Sequence, residues 1–299
     1  MFSTRMGLHK GCPVEGQIGV EGQGRSLLKR GASTRVRERI VSELLEVAGR
    51  SLLFRDALDG RMRRYLDRFS FQQERLTLAS GKRSLSAVYV SAGDRSPVFL
   101  ICHGIGERVE YWGDVQGLLR RMGISSLVFN YTGFGASRGR VRVSHREADV
   151  MAAWEHLIRG DSKEIFLLGF SLGTGIASAT AHHLRAMQLK GVILCEGFSS
   201  LREAAAAAGL PGWLTAVAAD TWSTEMQVCD LKVPVLVVHS DGDRLFPLSM
   251  AERVAKACGE RGEMMIVNGL EHNEPIFFAP ESYWGPIVEW AKRVCANSE

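Results

Sequence analysis

Residues 163–181 read Lys163-Glu-Ile-Phe-Leu-Leu-Gly-Phe-Ser-Leu-Gly-Thr-Gly-Ile-Ala-Ser-Ala-Thr-Ala181. The run from Ile165 to Leu168 has the length and composition of a strand, and the small residues from Gly173 onward are typical of a helix packed closely on a sheet. Between them lies the pattern Gly-x-Ser-x-Gly, centred on Ser171. In this pattern a strand turns sharply into a helix, with the serine at a strained apex. The stretch therefore predicts a serine hydroxyl that projects above a sheet at a helix N-terminus.

Strand-like runs alternate with helical segments along the rest of the chain. Two segments between Gln73 and Ser91 predict an antiparallel hairpin. Apolar runs then follow near residues 97–102, 126–130, 191–195, 233–239 and 263–267. Runs that are apolar throughout are typical of strands buried on both faces of a parallel sheet. The sequence therefore predicts an α/β fold, with a mostly parallel central sheet of about eight strands and helices on both faces.

Two polar turns come directly after late strands. One contains Asp241 and Asp243, and the other contains His272. Parallel strands end at the same edge of a sheet, where α/β folds place their chemistry. A serine, an acid and a histidine in this chain order are what a nucleophile-elbow fold requires. We therefore predict that Ser171 is a nucleophile and that His272 is its general base.

The acid of this predicted triad has three candidates. Asp243 is favoured for its position in the turn after the strand at 233–239. Asp241 is only two residues away, and Glu196 follows another strand whose end can also carry the acid. These two alternatives stay open.

The chain resembles the α/β-hydrolase superfamily from about residue 71 to residue 295. The resemblance is carried by His103-Gly-Ile-Gly-Glu107, Asn130-Tyr-Thr-Gly-Phe-Gly-Ala-Ser137, the Ser171 pattern and the two polar turns. It is closest to the short-cap branch, which includes monoglyceride-lipase-like, acyl-protein-thioesterase-like and serine-aminopeptidase-like members. Many relatives have aspartate where this chain has Asn130, at a position that the resemblance marks as structural. The resemblance implies the α/β-hydrolase fold.

An oxyanion hole needs two backbone donors beside the nucleophile. Leu172, the residue after the serine, supplies one N–H group, and the resemblance implies that Ile105 supplies the other. His103 and His239 are interpreted as structural histidines. Glu107 is interpreted as a solvent-facing residue, with contact to the substrate as the alternative. No histidine or cysteine spacing indicates a metal site, and no cofactor is expected.

The predicted function is a serine hydrolase that cleaves an ester or thioester of a small to medium acyl group through an acyl-enzyme. Two alternatives are a serine peptidase or amidase of the same fold and a non-catalytic interaction protein that retains the fold. A short insert at about 198–230 is rich in apolar residues. Leu210, Trp213 and Trp222 in it are predicted to bind substrate, with an ordinary helical connection as the alternative.

Charge is distributed unevenly along the chain. The net charge of +4 is too small to indicate nucleic-acid binding. Residues 1–70 carry fourteen lysines and arginines against eight acids, whereas the remainder carries 23 against 25. We predict a flexible leader at 1–33, a basic helical extension at 34–70 and a catalytic domain at 71–299 with a small cap insert. Contact of the basic helix with a membrane surface is considered, but packing on the main domain is favoured.

The six cysteines show no Cys-x-x-Cys pair, and the chain has neither a run of 18 apolar residues nor an apolar leader. These features predict reduced thiols in a cytoplasmic protein. The sequence says nothing about the oligomeric state.

Overall fold

The structure, a computed structural model, describes residues 41, 73–160, 162, 164–184, 188–212, 215 and 221–297. Eight strands form one sheet in the order β1-β2-β4-β3-β5-β6-β7-β8. They are β1 Glu74–Ser80, β2 Arg83–Val90, β3 Val98–Cys102, β4 Ser125–Phe129, β5 Ile165–Phe170, β6 Leu189–Cys195, β7 Val235–Ser240 and β8 Gly262–Val267. The β1–β2 and β2–β4 pairs are antiparallel, and the other pairs are parallel. The predicted sheet is confirmed.

Helices cover both faces of this sheet. They are α1 Gly113–Arg121, α2 His145–Arg159, α3 Leu172–Ala181, α4 Leu201–Ala207, α5 Thr224–Val228, α6 Leu248–Ala257, α7 Glu274–Phe277 and α8 Glu281–Ala296. One core cluster joins the sheet to α2, α3 and α6, and a second joins its other face to α1 and α8. Strands β3, β4, β5 and β7 are buried along their whole length because helices cover both faces.

The described part of the insert includes the short helices α4 and α5. Arg253, on α6, holds both of them. Its Nη2 donates to Ser199 Oγ at 2.6 Å and pairs with the Glu203 carboxylate of α4, and its Nε lies 3.3 Å from Glu225 Oε2 of α5. This network attaches the insert to the covering layer of the sheet, close to the end of β7.

The predicted leader at 1–33 lies outside the described residues, and so does the predicted basic extension at 34–70, apart from Val41. Val41 is helical and is buried in the core cluster shared with α2, α3 and α6. Among the described residues, no helix combines the length and apolar character needed to cross a membrane.

Four cysteines are free thiols: Cys102, Cys195, Cys258 and Cys295. Cys229 is disulfide-bonded. The expectation that all six thiols are reduced is therefore wrong at Cys229. The cytoplasmic location that rested partly on it stays a prediction.

Candidate active site

Ser171 occupies the turn between β5 and α3 in a left-handed conformation, with φ of 52° and ψ of −119°. A non-glycine residue held in such a conformation costs about 1–3 kcal/mol. The flanking glycines permit the turn. A Cβ at Gly169 would lie 2.5 Å from the Gly173 carbonyl oxygen, and a Cβ at Gly173 would overlap the carbonyl oxygen of Cys102. The sequence pattern therefore folds into the sharp strand–helix turn that it predicts, with Ser171 at the apex.

His272 connects Ser171 to Asp243. Its Nε2 lies 2.8 Å from Ser171 Oγ, and its Nδ1 lies 2.7 Å from Asp243 Oδ2. All three side chains are buried, although they come from turns after three different strands. The rings of Phe170 and Phe246 pack on the imidazole at centroid distances of 5.7 and 5.2 Å and fix its orientation.

Asp243 is held as an ionised acceptor. Its Oδ1 accepts the backbone N–H groups of Leu245 at 2.7 Å and Phe246 at 3.1 Å, while Oδ2 faces His272. Burial alone would raise the pKa of Asp243, but these hydrogen bonds and the neighbouring imidazole hold its pKa below the ordinary value. An ionised carboxylate at this position keeps the proton of His272 on Nδ1 and leaves Nε2 to accept from the serine.

The turn after β3 lies against Ser171. A Cβ at Gly104 would overlap Glu107 Oε1 and would lie 3.1 Å from Ser171 Cβ. Ile105, the next residue, is half-buried, and Gly106 has a φ of 74° that turns the chain away. Leu172 begins α3, and the first N–H groups of a helix have no intrahelical partner. Leu172 therefore follows Ser171 directly, and Ile105 follows Gly104, whose backbone lies against Ser171.

The sequence of the chain is similar to those of several known proteins. Residues 93–224 match the family model described as "Serine aminopeptidase, S33". An uncharacterized protein of Mycobacterium tuberculosis is 29% identical over 190 residues, which are 62% of this chain and 66% of that protein. Human alpha/beta hydrolase domain-containing protein 17C is 27% identical over 168 residues, 54% of this chain and 48% of that protein. The chain thus spans 66% of the length of the first relative and 48% of the length of the second.

A solved esterase structure from Pyrococcus furiosus superimposes with a TM-score of 0.62 at 19% identity, over 75% of this chain and 91% of that chain. The sheet order and the strand–helix turn at Ser171 agree with this match. The chain has the α/β-hydrolase fold.

The three candidate acids have different surroundings. Asp243 contacts His272. Asp241 is exposed, and its Oδ1 accepts the N–H of Gly269 at 2.7 Å. Glu196 is fully buried, and its oxygens accept the N–H of Ser240 at 3.1 Å and the hydroxyl of Tyr283 at 2.9 Å. Of the three, only Asp243 bonds to the histidine.

The two other histidines near the candidate site bind backbone carbonyls. His103 Nδ1 lies 2.7 Å from the Gly104 carbonyl oxygen, and His239 Nε2 lies 3.0 Å from that of Phe246. Burial lowers the pKa of His103 to about 4 and also lowers that of His239. Both are therefore neutral structural residues, as expected. Asn130 is structural too, since its Oδ1 accepts the N–H of Val109 at 3.1 Å.

Glu107 differs from the expectation of a solvent-facing residue, because it is buried. Trp112 folds back over it, and its Nε1 donates to Glu107 Oε2 at 3.0 Å. Burial raises the pKa of Glu107 to about 8, although the Gly104 N–H and Trp112 Nε1 oppose the shift. The apolar residues Val109 and Trp112 just after it were the sequence signal for this burial.

The predicted substrate-binding residues are placed as follows. Leu210 is half-buried after α4. Trp222 is fully buried, and a Cβ at Gly175 on α3 would lie 2.8 Å from its Cβ. Trp213 lies outside the described residues. A role in substrate binding stays a prediction for all three.

One group of potential metal-ligand atoms occurs in the described part of the chain. Atoms of Glu196, Asp243 and His272 lie within 4.8 Å of one another. Each of these side chains already bonds to protein: His272 to Ser171 and Asp243, and Glu196 to Ser240 and Tyr283. We interpret the group as a hydrogen-bonded acid–base cluster.

Proposed function

We propose that this protein is a serine hydrolase that cleaves an ester or thioester of a small to medium acyl group. The observation that carries the proposal is the continuous hydrogen-bonded path from Ser171 Oγ through His272 to Asp243, with 2.8 and 2.7 Å links. A serine hydroxyl is a poor nucleophile unless a base takes its proton, and this path supplies the base and its orienting acid.

The proposed reaction has two steps. Ser171 Oγ attacks the acyl carbonyl while His272 Nε2 takes its proton, and His272 then gives that proton to the leaving group. The backbone N–H groups of Ile105 and Leu172 are proposed to bind the oxyanion, and one such donor stabilises a transition state by about 3 kcal/mol. Water, activated by the same histidine, then attacks the acyl-enzyme and releases Ser171.

A panel of p-nitrophenyl esters and acyl thioesters, run beside aminoacyl p-nitroanilides, tests this function. Ester or thioester turnover that exceeds anilide turnover supports the proposal. The family model's description, a serine aminopeptidase, favours the alternative of a peptidase or amidase. Faster cleavage of the anilides would establish that alternative instead, and the absence of any turnover would favour a non-catalytic protein.

The acyl specificity of the proposed enzyme has an expected trend. Ile105 and Leu245, beside the triad, are half-buried apolar residues, and the insert adds Leu210. Each methylene removed from water contributes about 0.8 kcal/mol, which is about fourfold in kcat/KM per methylene. We expect kcat/KM to rise with acyl length over short to medium p-nitrophenyl esters and the rise to be flatter in Leu210→Ala.

The matched control for that series is Ile266→Ala. Ile266 is an apolar residue of β8 with 50% of its surface exposed, and its removal should leave the trend unchanged. Trp222→Ala is a poor probe, because this fully buried ring packs on α3 and its loss would also unfold the insert. A kcat/KM indifferent to acyl length would show that the site has no acyl pocket.

A further inference from the structure

Glu196 connects three elements behind the triad. It follows β6 directly, in a left-handed conformation with φ of 47°, and its side chain has no exposed surface. Its two oxygens share the N–H of Ser240, the last residue of β7, each at 3.1 Å. Tyr283, on α8, donates its hydroxyl to Oε1 at 2.9 Å. Asp243 lies three residues beyond Ser240, so Glu196 anchors the turn that carries the triad acid.

The two buried acids face each other without a cation. Oxygens of Glu196 and Asp243 and a nitrogen of His272 lie within 4.8 Å of one another. In the described part of the chain, neither lysine nor arginine forms an ion pair with Glu196. Two carboxylates enclosed this closely do not both ionise readily, and one of them retains a proton.

His239 indicates where that proton is. Its Nε2 donates to the Phe246 carbonyl oxygen, so in the neutral ring Nδ1 is an acceptor. This buried Nδ1 has no hydrogen-bond partner, and the nearest acid atom is Glu196 Oε2 at 3.8 Å. An acceptor that faces a carboxylate oxygen lacks a donor, and a proton on Glu196 would supply one.

The donors around Asp243 lead to the same assignment. Asp243 accepts from two backbone N–H groups and from His272, and these donors stabilise its ionised form. Burial, together with the charge of Asp243, raises the pKa of Glu196 to about 8, although the hydrogen bonds from Ser240 and Tyr283 oppose the shift. The titratable groups that face Glu196 are Cys195, His239, Asp243, His272 and Tyr283.

We propose that Glu196 is a positioning residue that stays neutral beside ionised Asp243, anchors the Asp243 turn through Ser240 and Tyr283, and weakens the triad when it loses its proton. A second negative charge beside Asp243 would repel it from the hydrogen bond with His272. The catalytic part of this inference rests on the proposed function, whereas the protonation of Glu196 does not.

Enzyme activity tests the positioning role. Glu196→Ala leaves the Ser240 N–H and the Tyr283 hydroxyl without an acceptor, and we expect kcat at pH 7 to fall about tenfold or more with KM little changed. Glu196→Gln should restore kcat, since the amide oxygen still accepts and its NH₂ replaces the carboxyl donor. Between pH 7 and 9.5, we expect wild-type kcat to fall roughly tenfold or more and Glu196→Gln to change about twofold at most.

Thermal unfolding tests the protonation state without reference to catalysis. With a pKa of about 8 instead of the ordinary 4.5, folded Glu196 binds a proton that the unfolded chain releases. The wild type therefore loses stability as pH rises through this window. We expect the Tm of Glu196→Gln minus that of wild type to increase by about 5 °C or more from pH 5 to pH 8.5.

Asp241→Asn is the matched control, because it removes an exposed acid from the turn that carries Asp243. We expect this variant to show the same fall in kcat between pH 7 and pH 9.5, and the same change of Tm with pH, as the wild type. If the Tm of Glu196→Gln minus that of wild type does not vary with pH, the proposal that Glu196 is neutral is wrong. A Glu196→Gln variant as inactive at pH 7 as Glu196→Ala would overturn it too, since an ionised carboxylate would then be required. If every substrate fails, the proposed function fails, and the Tm comparison still decides the protonation state.

Discussion

Ser171→Ala should lower kcat for any ester or thioester substrate by about 10⁴-fold or more, with KM little changed. The substitution removes the only atom of the described site that stands 2.8 Å from His272 Nε2 and at the apex of the strand–helix turn. The backbone donors of the oxyanion site stay in place, so a small residual rate over uncatalysed hydrolysis is expected. Steady-state kinetics with the fastest substrate of the panel measures the loss.

Ser178→Ala is the matched control for this variant. Ser178 is a buried serine of α3, but it bonds to the Gly175 carbonyl and to Gln227 rather than to the triad. We expect its kcat to stay within about twofold of wild type. Equal activity in Ser171→Ala and wild type would show that Ser171 is not the nucleophile, whatever the activity of Ser178→Ala.

Asp243→Asn should lower kcat by about 10³- to 10⁴-fold. Two backbone N–H groups donate to Oδ1, so the amide oxygen must take that place and the NH₂ group must face His272 Nδ1. His272 would then carry its proton on Nε2 and could not accept the proton of Ser171. The loss should appear in kcat with the fold retained, as checked by circular dichroism.

Two neighbouring acids are the comparison for Asp243→Asn. Asp241→Asn and Glu196→Gln change the other candidate acids of the site by the same carboxyl-to-amide substitution, and both should cost far less at pH 7. A larger loss in Glu196→Gln than in Asp243→Asn would move the role of triad acid to the end of β6.

The strands and the Ser171 turn were predictable because their signals are local. Continuous apolar runs mark strands covered on both faces, and Gly169 and Gly173 are required by atoms within or beside the same turn. The position of His272 followed from its place just after the last strand. Each of these inferences needed only neighbours in sequence and the rule that parallel strands end at one edge.

The contacts of the acids could not be read in the same way. Within one turn, Asp241 and Asp243 differ only in the direction of the side chain, and spacing does not determine that direction. Glu196 accepts a hydrogen bond from Tyr283, which lies 87 residues further along the chain, so the local sequence does not reveal this contact. Glu107 was expected in solvent, but the side chain of Trp112 covers it. The position of the Trp112 ring depends on the tertiary fold. Likewise, composition could not separate a pocket wall from a core residue at Trp222.

Covalent labelling with a fluorophosphonate probe, followed by mass spectrometry of the digested protein, tests the central claim that Ser171 is an activated nucleophile. We predict one adduct per chain, on the peptide that contains Ser171, with labelling much slower in Asp243→Asn and absent in Ser171→Ala. An adduct on a different residue, or an unlabelled wild-type protein at saturating probe, would contradict the claim.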